Sequence, residues 1–145
     1  MSKHHYARLL GEQGHHVFFV EPPDLAARGT TVAIERSVAT GVDVVRYRIP
    51  FPYRTKFHAR WLFQSLMNRT APRIVRAVGE PIDLVWDFDD NLLFNDLRRF
   101  SAGRRVFHPV DNIAPELSSA KHAQLILSNN EAYMASLPPC GRARY

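Results

Sequence analysis

Apolar residues recur along this chain with two alternating periods. From Ser2 to about Gln13, Tyr6, Leu9, Leu10 and Gln13 follow one side of a helix, with Ser2 placed to cap it and Gly14 to end it. Val17-Phe18-Phe19-Val20 is a short continuous apolar run, the pattern of a strand buried on both faces, and Glu21-Pro22-Pro23 stops it. Thr30 to Glu35 and Val42 to Ile49 alternate, which predicts a strand pair near a sheet edge with Thr40-Gly41 as the turn. A helical segment follows from about His58 to Val78, and Pro72 is expected to divide it, because proline is comfortable only at a helix start. Within that segment Ala59, Leu62, Phe63, Leu66, Met67 and Thr70 form one apolar stripe. Phe57 and Trp61 then fall on the opposite face, beside Lys56 and Arg60.

The remaining chain reads as short strands separated by helices. Asp83 to Trp86, Arg105 to Phe107 and Gln124 to Leu127 are strand-like; Asn95 to Phe100, Pro115 to His122 and Glu131 to Leu137 are helix-like, the last with Ser128-Asn129-Asn130 as its cap. Apolar strands between helices predict an α/β fold, a Rossmann-like, doubly wound and mostly parallel sheet covered on both faces, spanning residues 1–145 as one domain. Such a sheet begins with a strand at its centre, whereas this chain opens on a helix; its last helix runs into Pro138-Pro139-Cys140-Gly141 with no further strand expected before Tyr145. The expectation is therefore an incomplete sheet lacking its first strand, with two rows of unpaired backbone groups at the gap.

Composition narrows the classes. With 46% hydrophobic and 23% charged residues the chain is ordinary globular protein. No apolar run approaches the roughly 20 residues that span a bilayer, and the start lacks the apolar core of a secretory signal. A single cysteine, Cys140, forms no internal disulfide, for which a reducing cytoplasmic compartment is the simplest setting. The net charge of +5 suits nucleic acid, anionic lipid or a phosphorylated ligand. Zinc spacing, RNA-binding aromatic signatures and basic recognition helices are all missing, so nucleic acid is the partner class least supported.

The string KHHYARLLGEQGHHVFFVEPP, Lys3 to Pro23, resembles the first helix and second strand of GT-B-type glycosyltransferases. DLVW at Asp83 to Trp86, VFHPVDN at Val106 to Asn112 and AQLILSNN at Ala123 to Asn130 fall in the order such enzymes show. The resemblance covers nearly the whole chain, but only as an amino-terminal domain. It implies a transferase of polysaccharide biosynthesis that moves a sugar from a nucleotide-sugar donor to a glycan or lipid-linked acceptor. The amino-terminal lobe receives the acceptor and a carboxy-terminal lobe, without counterpart here, binds the donor. No cofactor beyond that co-substrate is implied, and this polypeptide alone is expected to be inactive. The competing class is a non-catalytic α/β ligand-binding or regulatory module using the same strand-end cleft.

Ligands in open α/β sheets bind beyond the carboxyl ends of strands, which selects four places here. Asp111, with His108 close in sequence, is the candidate catalytic residue for acceptor-side acid/base work, with Asn112 beside it; a loop aspartate forming a turn or capping the next helix is the equal alternative. Lys3, His4 and His5 stand at a helix amino terminus that favours anions, so a phosphate-bearing acceptor fits there, against a solvated basic terminus. Asp87-Phe88-Asp89 spells an acidic pair that could hold a divalent metal, although such short matches arise often by chance. Asn129 could bond sugar hydroxyls, while capping alone accounts for Ser128 to Asn130. Phe57, Arg60 and Trp61 make a surface suited either to peripheral contact with the inner face of a membrane or to another part of a larger protein.

Overall fold

The computed structural model describes residues 3–37, 41–88, 93–110, 119–128, 130–137 and the short strand at 143–144. Helix α1 (Lys3–Glu12) ends as its sequence requires. Gly14 takes the left-handed φ of 87°, and the amides of Gly14 and His15 donate back to the carbonyls of Gly11 and Leu10. Strand β1 (Val17–Val20) pairs in parallel with β3 (Val42–Tyr47), and β3 pairs antiparallel with the edge strand β2 (Val32–Glu35). Residues 36–41 alone join β2 to β3. That connection is too short for a parallel crossover, so the pair is antiparallel.

The next segment departs from expectation. One turn of helix, α2 (Thr55–His58), is followed by a long helix, α3 (Arg60–Val78), that runs through Pro72 without a division. The break falls instead at Ala59, with φ −143° and ψ 65°. Pro72 sits on the exposed side of α3, while Phe63, Met67, Ala71 and Ile74 are buried on the other. Burial on both sides of the proline outweighs its missing N–H, a penalty of about 3 kcal/mol in an unsupported helix. The buried stripe is also displaced from the expected one: Gln64 is inside and Leu62 is exposed.

Strands β4 (Leu84–Asp87), β5 (Arg104–Phe107), β6 (Leu125–Ile126) and β7 (Ala143–Arg144) form a parallel sheet in that order. Strand β7 corrects the expectation that no strand follows the last helix, since Ala143 and Arg144 pair with Leu125 and Ile126. Where a short α-helix is predicted from Asn95, the chain makes a 3₁₀ turn at Leu97–Phe100. Asp96 caps it, accepting from the Arg98 amide and, in a fork at 2.7 and 3.1 Å, from the Arg98 guanidinium. Of the helix expected from Pro115, residues 119–122 are described and form a second 3₁₀ turn; the rest lies outside the described residues. Helix α4 (Glu131–Ser136) is capped by Asn130, whose side chain accepts the Ala132 amide at 3.0 Å.

The fold class is α/β, but the strands do not make one sheet. Among the described residues they form a mixed sheet, β1-β3-β2, and a parallel sheet, β4-β5-β6-β7, with no pairing between β1 and β4. The larger core joins Val45, Tyr47 and Ile49 of the first sheet to Phe63, Met67 and Ile74 of α3 and to Leu93, Phe94 and Phe100. A second core holds Leu97, Phe107, Ala120, Ile126 and Leu137, and Val85 of β4 packs against both. Phe18 and Val20 join the core that α3 covers, whereas Phe19 meets His4 of α1 with ring centres 4.6 Å apart. Alternate residues of a strand face opposite ways, so α1 and α3 cover opposite faces of β1.

Candidate functional site

The two sheets flank a cavity of about 590 Å³, lined on one side by Val17 to Val20 and on the other by Leu84 to Phe88. One end is closed by His16, whose ring bridges Asp43 of β3 at 3.0 Å and Glu80, just ahead of β4, at 2.9 Å. Asp43 is buried, and the Ser37 amide, with the His16 ring after it, holds its carboxyl below the usual carboxylate range. Since His16 precedes β1 and Glu80 precedes β4, the two strands run in the same direction past the cavity. The other end therefore lies at their carboxyl ends, where open α/β sheets bind ligands.

Four rings converge at that end. Tyr6 of α1 lies 5.2 Å from Trp86, 5.4 Å from Phe88 and 5.6 Å from His108, centre to centre. Trp86 stacks on Phe88 at 5.1 Å and on His108 at 6.1 Å, with interplanar angles of 21° and 19°. The backbone explains the convergence. Trp86 and Phe88 are two apart along an extended segment and share a face, and β5 delivers His108 beside them through its amide bond to the Asp87 carbonyl at 2.8 Å. Trp86 Nε1 and His108 Nδ1 are both buried and have no hydrogen-bond partner among the described residues. Burial pushes the His108 pKa below its ordinary value, so the ring is neutral near pH 7. A cluster of flat apolar faces carrying one indole donor and one neutral imidazole offers stacking area plus two polar contacts to a ligand.

The structure unites part of the predicted site. Lys3 lines the cavity, His108 is in the ring cluster, and His4 packs on Phe19. His5 is half-buried in the same first turn. Asp111, Asn112, Asn129 and Asp89 lie outside the described residues. Asp87 ends β4 and faces away from Trp86 and Phe88, and no group of three or more His, Cys, Asp or Glu arranged to hold a metal occurs among the described residues. Phe57, Arg60 and Trp61 belong to a separate surface, where Phe57 and Trp61 are 71% and 75% exposed and Lys56 lies over the Phe57 ring at 5.8 Å. No helix among the described residues is long and apolar enough to cross a membrane. Sequence reasoning missed Tyr6 and Trp86, which read as ordinary helix-face and strand positions, and Phe88, which read only as the spacer between Asp87 and Asp89. The available signal was the two-residue spacing of Trp86 and Phe88 across the end of a strand. No family model matches the chain, and no curated protein or solved structure matches it either.

Proposed function

We propose that this chain is the acceptor-side, Rossmann-like domain of a GT-B-type glycosyltransferase, moving a sugar from a nucleotide-sugar to a glycan or lipid-linked acceptor. The observation that carries the proposal is the ring cluster of Tyr6, Trp86, Phe88 and His108 at the carboxyl ends of β4 and β5. The C–H faces of a sugar pack on such rings, and Trp86 Nε1 and His108 Nδ1 supply its polar contacts. In the transfer, the acceptor hydroxyl oxygen attacks the anomeric carbon of the donor. The bond from that carbon to the phosphate oxygen breaks, its electron pair leaves with the phosphate, and the acceptor proton passes to a base on this domain. Neutral His108 suits that role, and Asp111, three residues further along the chain, shares it as base or as the group that orients the sugar. In this reading the donor belongs to a second, carboxy-terminal lobe, and the part played by this domain is to receive the acceptor.

Trp61 and Trp86 are the two tryptophans, so Trp61→Phe leaves Trp86 as the single fluorescent reporter. Titration with a panel of oligosaccharides and lipid-linked saccharides is expected to give a saturable change for at least one of them. Tyr6→Ala or His108→Ala should weaken that binding roughly 3- to 10-fold. A panel that leaves Trp86 unperturbed, or a nucleotide-sugar that competes at this site, overturns the proposal. The exposed Phe57 and Trp61, with Lys56 and Arg60, rest against the bilayer that carries a lipid-linked acceptor. Sedimentation with anionic vesicles that is unchanged by Trp61→Ala and Arg60→Glu removes that contact.

A further inference from the structure

Two buried polar atoms of the ring cluster define the kind of oxygen it takes. Trp86 Nε1 is a donor only, whereas His108 Nδ1 is donor or acceptor according to the tautomer. Both atoms are out of contact with solvent, and neither has a hydrogen-bond partner among the described residues. The parallel sheet sets the two rings side by side. Trp86 stands opposite Val106 and Asp87 opposite Phe107, so Phe88 falls opposite His108 and the indole and imidazole are diagonal neighbours on one face. Their planes are 19° apart with centres at 6.1 Å. Phe88 lies 5.1 Å from the indole and 5.0 Å from the imidazole, and Tyr6 adds a further ring at 5.2 and 5.6 Å. A fixed donor and a ring nitrogen are therefore set among aromatic carbon, and the Tyr6 hydroxyl bonds neither of them.

Burying either atom unpaired is unfavourable, so the favoured ligand is one that pairs both. An ether oxygen accepts from the indole and offers nothing to Nδ1. A carboxylate or phosphate oxygen sets its negative charge against the Nδ1 lone pair, or requires a second proton on a ring that burial keeps neutral. A hydroxyl satisfies both atoms: its oxygen accepts the indole N–H, and its own proton is donated to Nδ1. We infer that Trp86 Nε1 and His108 Nδ1 clasp one hydroxyl of the ligand, with His108 protonated at Nε2, so that the cluster selects alcohols over ethers and anions. With Nδ1 protonated instead, two donors would face one oxygen, and the hydroxyl proton would be left against aromatic carbon. The inference rests on the reading of this cluster as the acceptor site and deepens it. Trp86 becomes the positioning residue that orients the hydroxyl oxygen, and Nδ1 is the nitrogen toward which the hydroxyl proton points. Both side chains stand at the ends of paired strands, which fixes the clasp to rigid elements.

Probes simpler than a saccharide test it. Cyclohexanol, cyclohexyl methyl ether and cyclohexanecarboxylate share one apolar ring and differ in the oxygen they present. Each is titrated into the Trp61→Phe protein, and binding is followed by the NMR signal of the single remaining indole N–H. At about pH 7.5, where His108 is neutral, cyclohexanol is expected to bind about 5-fold or more tighter than the other two. It should also move the indole proton downfield. Adding His108→Phe keeps a ring and removes the acceptor, so alcohol and ether should then bind equally. Equal binding before that substitution, or a preference that survives it, overturns the clasp. Tighter binding of the carboxylate would reveal an anion site and overturn the selection. Nitrogen NMR of the His108 ring gives a readout with Trp86 and His108 both intact: Nε2–H is expected, and Nδ1–H overturns the inference. The sugar-transfer reading fails separately. Saccharides that leave Trp86 unperturbed, while cyclohexanol still binds in preference to its ether, would remove that reading and keep the clasp. A saccharide that binds where alcohol and ether are equal would do the reverse.

Discussion

His108 and Asp43 give acid sensitivity a defined shape. Burial holds the His108 pKa below 6.5, so the unfolded chain takes up that proton more readily than the folded one. Its share of folding stability is intact above about pH 6.5 and is lost progressively below it. Asp43 acts lower down and in the same direction. The Ser37 amide and the His16 ring hold its pKa below 3.8, so its contribution persists above that value and is lost on further acidification. Urea midpoints taken at about pH 7.5, about 5.5 and about 3.5 should therefore fall in two steps. His108→Phe is expected to remove the first step, and Asp43→Asn to shrink the second. Removing the carboxylate outright has a further effect, because Asp43→Ala strands the Ser37 amide and one side of the His16 bridge at a site only 5% exposed. A loss of about 1–3 kcal/mol at neutral pH follows. If the midpoint does not change with pH between about 7.5 and about 5.5, His108 is not the desolvated group its position implies.

Helix α3 shows how an element overrides its own sequence. Pro72 gives up the N–H that would bond the Asn68 carbonyl, and its ring crowds the preceding turn, yet α3 continues because Met67, Ala71 and Ile74 are held in the core. The proline is on the exposed side of α3, so Pro72→Ala should stabilise the protein by about 1–3 kcal/mol, seen as a higher Tm. A lower Tm would mean that the proline ring is itself needed for packing. The expected division at Pro72 was a local inference, and tertiary packing reversed it. Elements set by local rules were legible: the Gly14 stop, the Val17–Val20 strand and the Asn130 cap are where the sequence puts them. The 3₁₀ turn at Leu97–Phe100 was not, because what shortens it is the Asp96 grip on Arg98, which no periodicity encodes. Neither was the half-buried polar ladder in which Asn95 donates to Gln64 and accepts from Asn68, both at 3.0 Å, fixing the segment after β4 to α3. Of the candidate site, the strand-end rule found His108 and Lys3. The two-residue spacing of Trp86 and Phe88 marks a shared face, but the rings of Tyr6 and His108 reach it only when α1 and β5 are packed beside β4, which no local spacing encodes.

At the scale of the molecule, one gap governs cooperativity. The larger core binds the mixed sheet to α3, and the smaller one holds Phe107, Ile126 and Leu137 around the parallel sheet. No backbone ladder joins them among the described residues, and Val85 is the side chain of β4 that packs against both cores. Hydrogen bonding spreads unfolding through a sheet, whereas a side-chain contact couples two halves only by its own packing energy. The parallel half also has the smaller core and its β6 is two residues long, so it should open first. Native-state exchange is expected to sort the amides into two groups. Those of β3 and α3 would exchange only by global unfolding, and those of β5 and β6 by a cheaper opening of the parallel half. Val85→Ala removes at most about 1.6 kcal/mol of burial from the contact that links them, since Val85 is half-buried. It should widen the interval between the two groups, since it loosens the join more than either half. A single opening energy shared by β3, α3, β5 and β6 would show instead that the halves already behave as one unit, with α3 and the Gln64–Asn95 ladder coupling them as firmly as a shared strand.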